Sequence, residues 1–467
     1  MKKIRQAWWL ALVVTLLSPT LLLQAQMKAK MAAKDGKSAV ASVPRVNYQE
    51  TRLKNGLRVL LVEDSSAPVV SFALTYNVGS RNEKLGRTGF AHLFEHMMFQ
   101  GSENIGKSEH FILIDNNGGQ MNGTTNEERT LYFETLPANQ LDLGLYMEAD
   151  RMRGLDISKE NLDNQRKAVQ EERRLGVDNQ AYGELFETFD SVQFDNPNYK
   201  HSVIGSMADL NAASVADVSD FFRTYYAPNN AVLAVVGDFK AKDALVKVKK
   251  YFESIPSQPT PPGVDIVEPA QTAERRFTVE DGLAQLPLML IAYKTTTGNQ
   301  ADIYALQLLG TILGGGQSSR LYQKLVKEKQ LVLGANSNGD NRRGPNAFSI
   351  SATIAPGKKV EDAEAAIYAE IGRLQTEGVT EAELDKAKAG RRRAAIQSRQ
   401  SSLGRAIALT EAATFWNDPN YINTGLDKYM AVTAADVQRV AQQYLKAANR
   451  TVGIAIPKPK GNAKPGE

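Results

Sequence analysis

Ser214-Val215-Ala216-Asp217-Val218 opens a helical pattern that reaches Tyr225, and Asn229-Asn230 then leads into an apolar strand from Ala231 to Val236. Late in the chain Thr433-Ala434-Ala435-Asp436-Val437 opens the same pattern, with Tyr444, Asn449 and a strand from Thr451 to Ile456 in matching places. Each block begins with Ser or Thr before a periodic apolar run, where a side-chain oxygen can accept a backbone N–H left free by the first helical turn. Equivalent positions keep one constant offset from helix start to strand end, and two homologous halves explain this most simply. At 467 residues the chain is also too long for one ordinary core.

Between the halves, Ser254-Ile255-Pro256-Ser257-Gln258-Pro259-Thr260-Pro261-Pro262-Gly263 can continue neither a helix nor a central strand, so it reads as a linker. Upstream, Leu57 to Val62 and Val69 to Tyr76 alternate or run apolar like strands, with a turn at Glu63-Asp64-Ser65-Ser66. Helical patterns follow at about Thr88–Phe99, Glu109–Asn116, Pro137–Arg151 and Lys159–Leu175. The second half again sets paired strands, Phe277–Val279 and Met289–Tyr293, before long helices. The expected class is α+β: two homologous domains, each a mostly antiparallel sheet with helices packed on one face.

Composition narrows the function. Hydrophobic content of 42% and charge of 23% are those of a soluble globular protein. A net charge of +4 over this length, with no basic stripe interleaved with aromatics, gives no reason to expect nucleic acid. There is no cysteine, which excludes disulfides, thiolate catalysis, Cys-based zinc sites and an acylated-Cys anchor. Lys2, Lys3 and Arg5 precede an apolar stretch from Trp8 to Leu23, and Leu23-Gln24-Ala25 offers a small residue for cleavage. That order is a secretory signal peptide. As a permanent anchor the stretch is short and is broken by Ser18-Pro19. We therefore expect a periplasmic protein with no stable membrane anchor after cleavage.

Chemistry concentrates at Gly89-Phe90-Ala91-His92-Leu93-Phe94-Glu95-His96-Met97-Met98-Phe99. On a helix His92 and His96 share one face, with Cβ atoms roughly 5–6 Å apart, so both imidazoles can meet one tetrahedral zinc ion. Glu95 lies near the same rim, within reach of a water at the metal. This is the inverted order H-x-x-E-H, and the chain holds only four His in all. A catalytic zinc needs a third protein ligand. His110 and His201 are chemical candidates, and a carboxylate from Glu171-Glu172 is the better one. Adjacent helix positions point about 100° apart, so one of the two faces the metal, and periodicity does not choose between them.

These residues resemble the insulinase/pitrilysin family of zinc peptidases, in particular its two-domain branch, which includes the mitochondrial processing peptidases. The resemblance covers almost all of the mature chain. It is carried by Leu53-x-Asn55-Gly56-Leu57, His92 to His96, Asn122-Gly123-Thr124-Thr125 to Tyr132, Glu172, Tyr226-Ala227-Pro228-Asn229-Asn230 with Gly237-Asp238, and Leu313-Gly314-Gly315-Gly316 with Ser319-Arg320-Leu321. It implies a zinc endopeptidase whose two domains form a half-shell around a cavity, with Zn²⁺ on His92, His96 and Glu172 and with Glu95 as the base. Gln165 stands where relatives often carry a further Glu behind the metal, a change that should tune binding rather than abolish it. An unfolded peptide would add as a strand along Gly119-Gln120-Met121-Asn122-Gly123, so that Gly119, Met121, Asn122 and Gly123 are the implied substrate-binding residues.

The second half departs from the family pattern. Active single-chain members and homodimers carry an Arg and, seven residues on, a Tyr that grip the substrate; Val326 and Leu333 stand in those places here. Arg320 and Tyr322 are nearby but resemble packing residues of the preceding helix. The resemblance thus implies a heterodimer, in which a related zinc-free subunit supplies the Arg/Tyr pair. A catalytically inactive structural or peptide-binding partner of the same fold is the alternative. Gly314-Gly315-Gly316-Gln317-Ser318-Ser319 lacks the Lys of a phosphate loop and is a weak nucleotide motif. The expected limits are a signal peptide over 1–25, a flexible lead-in over 26–45, a zinc-bearing domain over 46–253, the Pro-rich linker over 254–270, a homologous domain without metal over 271–457 and a disordered tail over 458–467.

Overall fold

The computed structural model describes residues 43–459. The expected signal peptide, most of the lead-in and the tail beyond residue 459 lie outside them. Eleven strands form two sheets among the described residues. The first contains β1 (Gln49–Arg52), β2 (Arg58–Glu63), β3 (Val69–Tyr76), β4 (Gln120–Thr125), β5 (Thr130–Pro137) and β6 (Ala231–Gly237), in the order β1-β2-β6-β3-β5-β4. The second contains β7 (Arg275–Asp281), β8 (Leu288–Thr297), β9 (Val332–Gly339), β10 (Pro345–Ile354) and β11 (Arg450–Pro457), in the order β7-β11-β8-β10-β9. With β1 set aside, the two orders are identical. Every pair is antiparallel except β2 with β6 and β7 with β11, which are parallel in both halves.

The repeat holds at the level of single atoms. Ser214 and Asp217 close a capping box at the helix Val215–Tyr225, and Thr433 and Asp436 close the same box at Ala434–Tyr444. Asn230 Nδ2 donates to the Tyr225 carbonyl at 2.8 Å, and Asn449 Nδ2 donates to that of Tyr444 at 2.8 Å. Each Asn thereby turns the chain from helix into the strand that ends up beside its parallel partner.

The inner strands of each sheet are buried on both faces, which is why β3, β6 and β8 run apolar rather than alternating cleanly, while the edge strand β7 alternates. In the first sheet Val59, Leu61, Phe72, Leu74 and Val235 face that half's own helices. Leu60, Val62, Ala73, Val232, Ala234 and Val236 face the other way, onto Ala406, Leu409 and Ala413 of the helix Ser402–Phe415. In the second sheet Leu288, Leu290, Ala292 and Ala455 pack on Leu185 and Phe189 of the helix Gly183–Gln193. Each half therefore lends one helix to the other half's sheet, a feature the sequence expectation of helices on one face did not include. Leu409 is fully buried in this contact. Leu409→Ala should cost about 2–5 kcal/mol in denaturant unfolding and leave metal content unchanged, as for other buried Leu truncations. A cost below about 0.5 kcal/mol would mean that the exchanged helix does not hold the halves together.

Two helix limits differ from expectation. The Pro137–Arg151 pattern begins as α-helix only at Leu141, after a 3₁₀ turn at Ala138–Gln140, because β5 runs to Pro137, whose missing N–H is harmless at a strand end. Past Arg173 the chain continues as a wider turn, Arg174–Asp178. The segment from 254 to 270 has no helix or strand. It is tied to the first half by reciprocal bonds between Asn229 and Gln258 and by Asn196 Nδ2 donating to the carbonyls of Asp265 and Val267.

Candidate metal centre

The helix Phe90–Met97 buries Phe90, Ala91, Leu93, Phe94 and Met97 against the first core, which leaves His92, Glu95 and His96 half-buried on its other side. It starts from Gly89 at φ 86°, where a Cβ would also lie 2.5 Å from the Ile204 carbonyl oxygen, so this turn needs glycine. Its first N–H groups are met by buried Glu83: Gly89 N donates to Oε2 at 2.9 Å and Ala91 N to Oε1 at 2.7 Å. Burial pushes the Glu83 carboxyl up, and these backbone donors pull against it. Nothing in the sequence flagged this cap, since Glu83 lies outside the usual capping spacing.

The His92 and His96 ring centroids stand 4.9 Å apart. Glu172, near the end of the helix Lys159–Arg173, reaches across to both: Oε1 lies 3.6 Å from His92 Nε2 and Oε2 lies 3.3 Å from His96 Nε2. Around a tetrahedral ion with bonds of about 2.0–2.1 Å, ligand atoms stand roughly 3.3–3.4 Å apart. Both contacts are near that spacing, and one ligand atom from each of the three side chains lies within 4.8 Å of the others, so the three fit a zinc ion. They form the one such group of His, Asp and Glu among the described residues. Burial, together with the neighbouring His96 ring, holds His92 down at about 4 against the pull of Glu172, so its imidazole is in the neutral form that binds metals. Glu171 is turned away and pairs with Arg174 at 3.0 Å.

Gln165 lies behind the site, with Oε1 3.3 Å from His96 Nδ1. Its amide nitrogen donates to Asn164 Oδ1 at 3.1 Å, which orients the oxygen toward the imidazole. An N–H on Nδ1 donating to that oxygen leaves the Nε2 lone pair for the metal. His110 and His201 do not join the group. His110 is fully buried with both ring nitrogens unpartnered, and burial, aided by Arg151, holds it down at about 3. His201 Nδ1 contacts the Ser202 carbonyl at 3.2 Å.

Glu95 points toward β4, the outermost strand of its sheet. Thr125 Oγ1 donates to Glu95 Oε2 at 2.6 Å, a contact that sequence reading missed because nothing local links the two residues. Burial raises the Glu95 carboxyl, and the Thr125 hydroxyl partly offsets it. A Cβ on Gly123 would lie 3.1 Å from Glu95 Cγ, so glycine lets the strand come this close. Asn122 is exposed, while Gly119 and Met121 are half-buried along the same edge.

Residues 58–205 match the insulinase family, peptidase family M16, and residues 212–391 match the peptidase M16 inactive domain. The zinc protease PqqE of Helicobacter pylori is 30% identical over 416 residues, covering 88% of this chain and 93% of its own. The chain belongs to peptidase family M16. The crystal structure of a protease from Helicobacter pylori has the same M16 fold, with a TM-score of 0.84 at 30% identity over 88% of this chain and 100% of that one. The periplasmic protease PqqL of Escherichia coli shares the fold at a TM-score of 0.72 and 19% identity, over 89% of this chain and 48% of that one. The region matching the M16 inactive domain contains no His, since all four lie at or before His201. Among the described residues no helix is long and apolar enough to cross a membrane.

Proposed function

We propose that this M16 chain is a zinc-dependent endopeptidase that hydrolyses peptide bonds in unfolded peptides, and that it is the catalytic subunit of a heterodimer. The observation that carries the peptidase reading is the approach of His92 Nε2, His96 Nε2 and the Glu172 carboxylate with Glu95 beside them. Zinc bound there would polarise a scissile carbonyl and lower the pKa of a water molecule. Glu95 is the base: its half-buried, raised carboxyl takes a proton from the attacking water and returns it to the leaving amine. Thr125 keeps it aimed. The free edge of β4, with Gly119, Met121, Asn122 and Gly123, would pair with the peptide backbone.

The heterodimer reading rests on the second half. Val326 is half-buried against that half's core, and Leu333 is 56% exposed on β9, the counterpart of β4 in the strand order. Neither side chain can donate to an oxyanion. Arg320 is engaged elsewhere, by Glu383 at 2.7 and 2.8 Å and the Gly378 carbonyl at 2.9 Å. The same proposal includes export to the periplasm by the signal peptide at 1–25, domain limits of 46–253 and 271–457, and the linker at 254–270.

Chelated protein should lose peptide cleavage and regain it with one zinc per chain. Glu172→Ala should weaken zinc binding by more than about 100-fold, beyond what an outer hydrogen-bonding partner costs. Glu171→Ala should retain full metal content, since that side chain only pairs with exposed Arg174. Metal analysis showing the reverse would mean that the wrong carboxylate has been assigned.

A further inference from the structure

A cavity of about 490 Å³ lies beyond the end of β4 and falls within the usual size of ligand pockets, about 300–1,000 Å³. Its walls come from both halves. Asn126, from the β4–β5 turn, faces Arg391, Glu411, Trp416, Tyr421 and Tyr429 of the second half. Exposed Ala394 and Ser398 leave its rim open to solvent. Asn126 follows Thr125 directly, and Thr125 bonds Glu95, so the cavity begins one residue past the hydrogen-bond partner of the proposed catalytic base. Arg129 fastens the two together, donating to the Thr124 carbonyl at 2.8 Å and to Glu411 at 3.4 Å.

The lining is built for an anion with apolar surroundings. The Arg391 guanidinium faces it, with the Glu411 carboxylate already engaged by Arg129 and buried Arg399 donating to the Ile422 carbonyl. The Arg391 guanidinium lies 4.9 Å from the Tyr429 ring centroid, makes one long contact of 3.4 Å to the Gln307 carbonyl, and has a buried Nε with no partner. Arginine held over an aromatic ring with unused donors is suited to carboxylate recognition. The opposite wall is rigid: Trp416 stacks on Tyr421 at 4.2 Å, and Lys428 caps both rings. The other titratable groups facing the cavity, the hydroxyls of Tyr421 and Tyr429, are bonded to Tyr304 and Gln307.

The geometry points to this cavity as a subsite that takes a carboxylate of the peptide substrate, a few residues from the bond that is cut. The inference rests on the peptidase reading for the direction in which the peptide runs. Its carboxylate is an acidic side chain or the free C-terminus, two sources of the same chemistry. Trp416 is the one tryptophan outside the first nine residues, so its emission reports on the cavity wall once Trp8 and Trp9 are changed to Phe.

The test uses the full chain with those two changes, kept zinc-free so that nothing is cleaved. Three unstructured peptides are titrated: one with an internal Glu and an amidated end, its Gln counterpart with an amidated end, and the Gln peptide with a free C-terminus. The Glu peptide should bind about tenfold more tightly than the Gln amide, the worth of one hydrogen bond to a charged group. Tight binding of the free-ended Gln peptide instead would assign the subsite to the C-terminal carboxylate. Arg391→Gln should erase the preference without weakening the Gln amide, and Arg391→Lys should keep part of it. Ala395→Phe, which fills the cavity while sparing the charge, should weaken the preferred peptide. Equal binding of all three peptides, or an equal loss for all three in Arg391→Gln, would overturn the inference. Cleavage by zinc-loaded protein is assayed separately, so its absence would count against the peptidase reading and not against this subsite.

Discussion

Glu95→Gln should keep one zinc per chain and slow cleavage of an unstructured peptide by about 10²–10⁴-fold, the usual worth of a positioned base. The substitution preserves shape. The Gln carbonyl oxygen can still accept the Thr125 hydroxyl, so the side chain stays beside His96 and the β4 edge. The amide cannot take a proton from water, and that is the single property removed. His92, His96 and Glu172 are untouched, so metal content should hold and serve as the control for folding. Metal analysis and kcat on the same preparation decide it. Cleavage at the unaltered rate would remove Glu95 from the mechanism, and loss of zinc would show that its carboxylate holds the metal instead.

Adding a related subunit that carries the Arg/Tyr pair should raise kcat of the purified chain by about 10²–10³-fold, the effect of one oxyanion donor. The second half offers no substitute of its own. Leu333 is apolar, Val326 is packed, and Arg320 is clamped by Glu383, whose carboxyl that contact pulls down to about 2. To free Arg320 for catalysis would break a two-pronged ion pair with Glu383, which sits in the first turn of the helix Glu381–Gln397. The measurement is peptide cleavage by the pure chain before and after titration with candidate partner or periplasmic extract. Full activity from the pure chain, unaffected by any addition and lost in Arg320→Ala, would replace the heterodimer with a self-sufficient enzyme.

Much of this protein is written locally. The capping boxes at Ser214 and Thr433 depend on side chains three residues apart, and the approach of the His92 and His96 rings depends on the four-residue spacing of one helix. The two-fold repeat is legible for the same reason, because each block specifies its own helix, turn and strand. Period and capping act over a few residues, and so they are visible without knowing what packs against them.

Only the tertiary structure decided which surfaces meet. The Glu171-Glu172 pair looks alike in sequence, and the packing of the helix Lys159–Arg173 against Phe90–Met97 turns Glu172 to the imidazoles. An apolar stripe on Ser402–Phe415 announces that something will be buried there, not that it will be the far face of the other half's sheet. Thr125 beside Glu95, Glu83 at the head of the histidine helix, and the cavity between Asn126 and Arg391 join segments from 6 to 265 positions apart along the chain. Such contacts carry no local period. They arise because two doubly covered sheets must bury both faces, and satisfying that requirement brings together side chains whose spacing in sequence says nothing about their spacing in space.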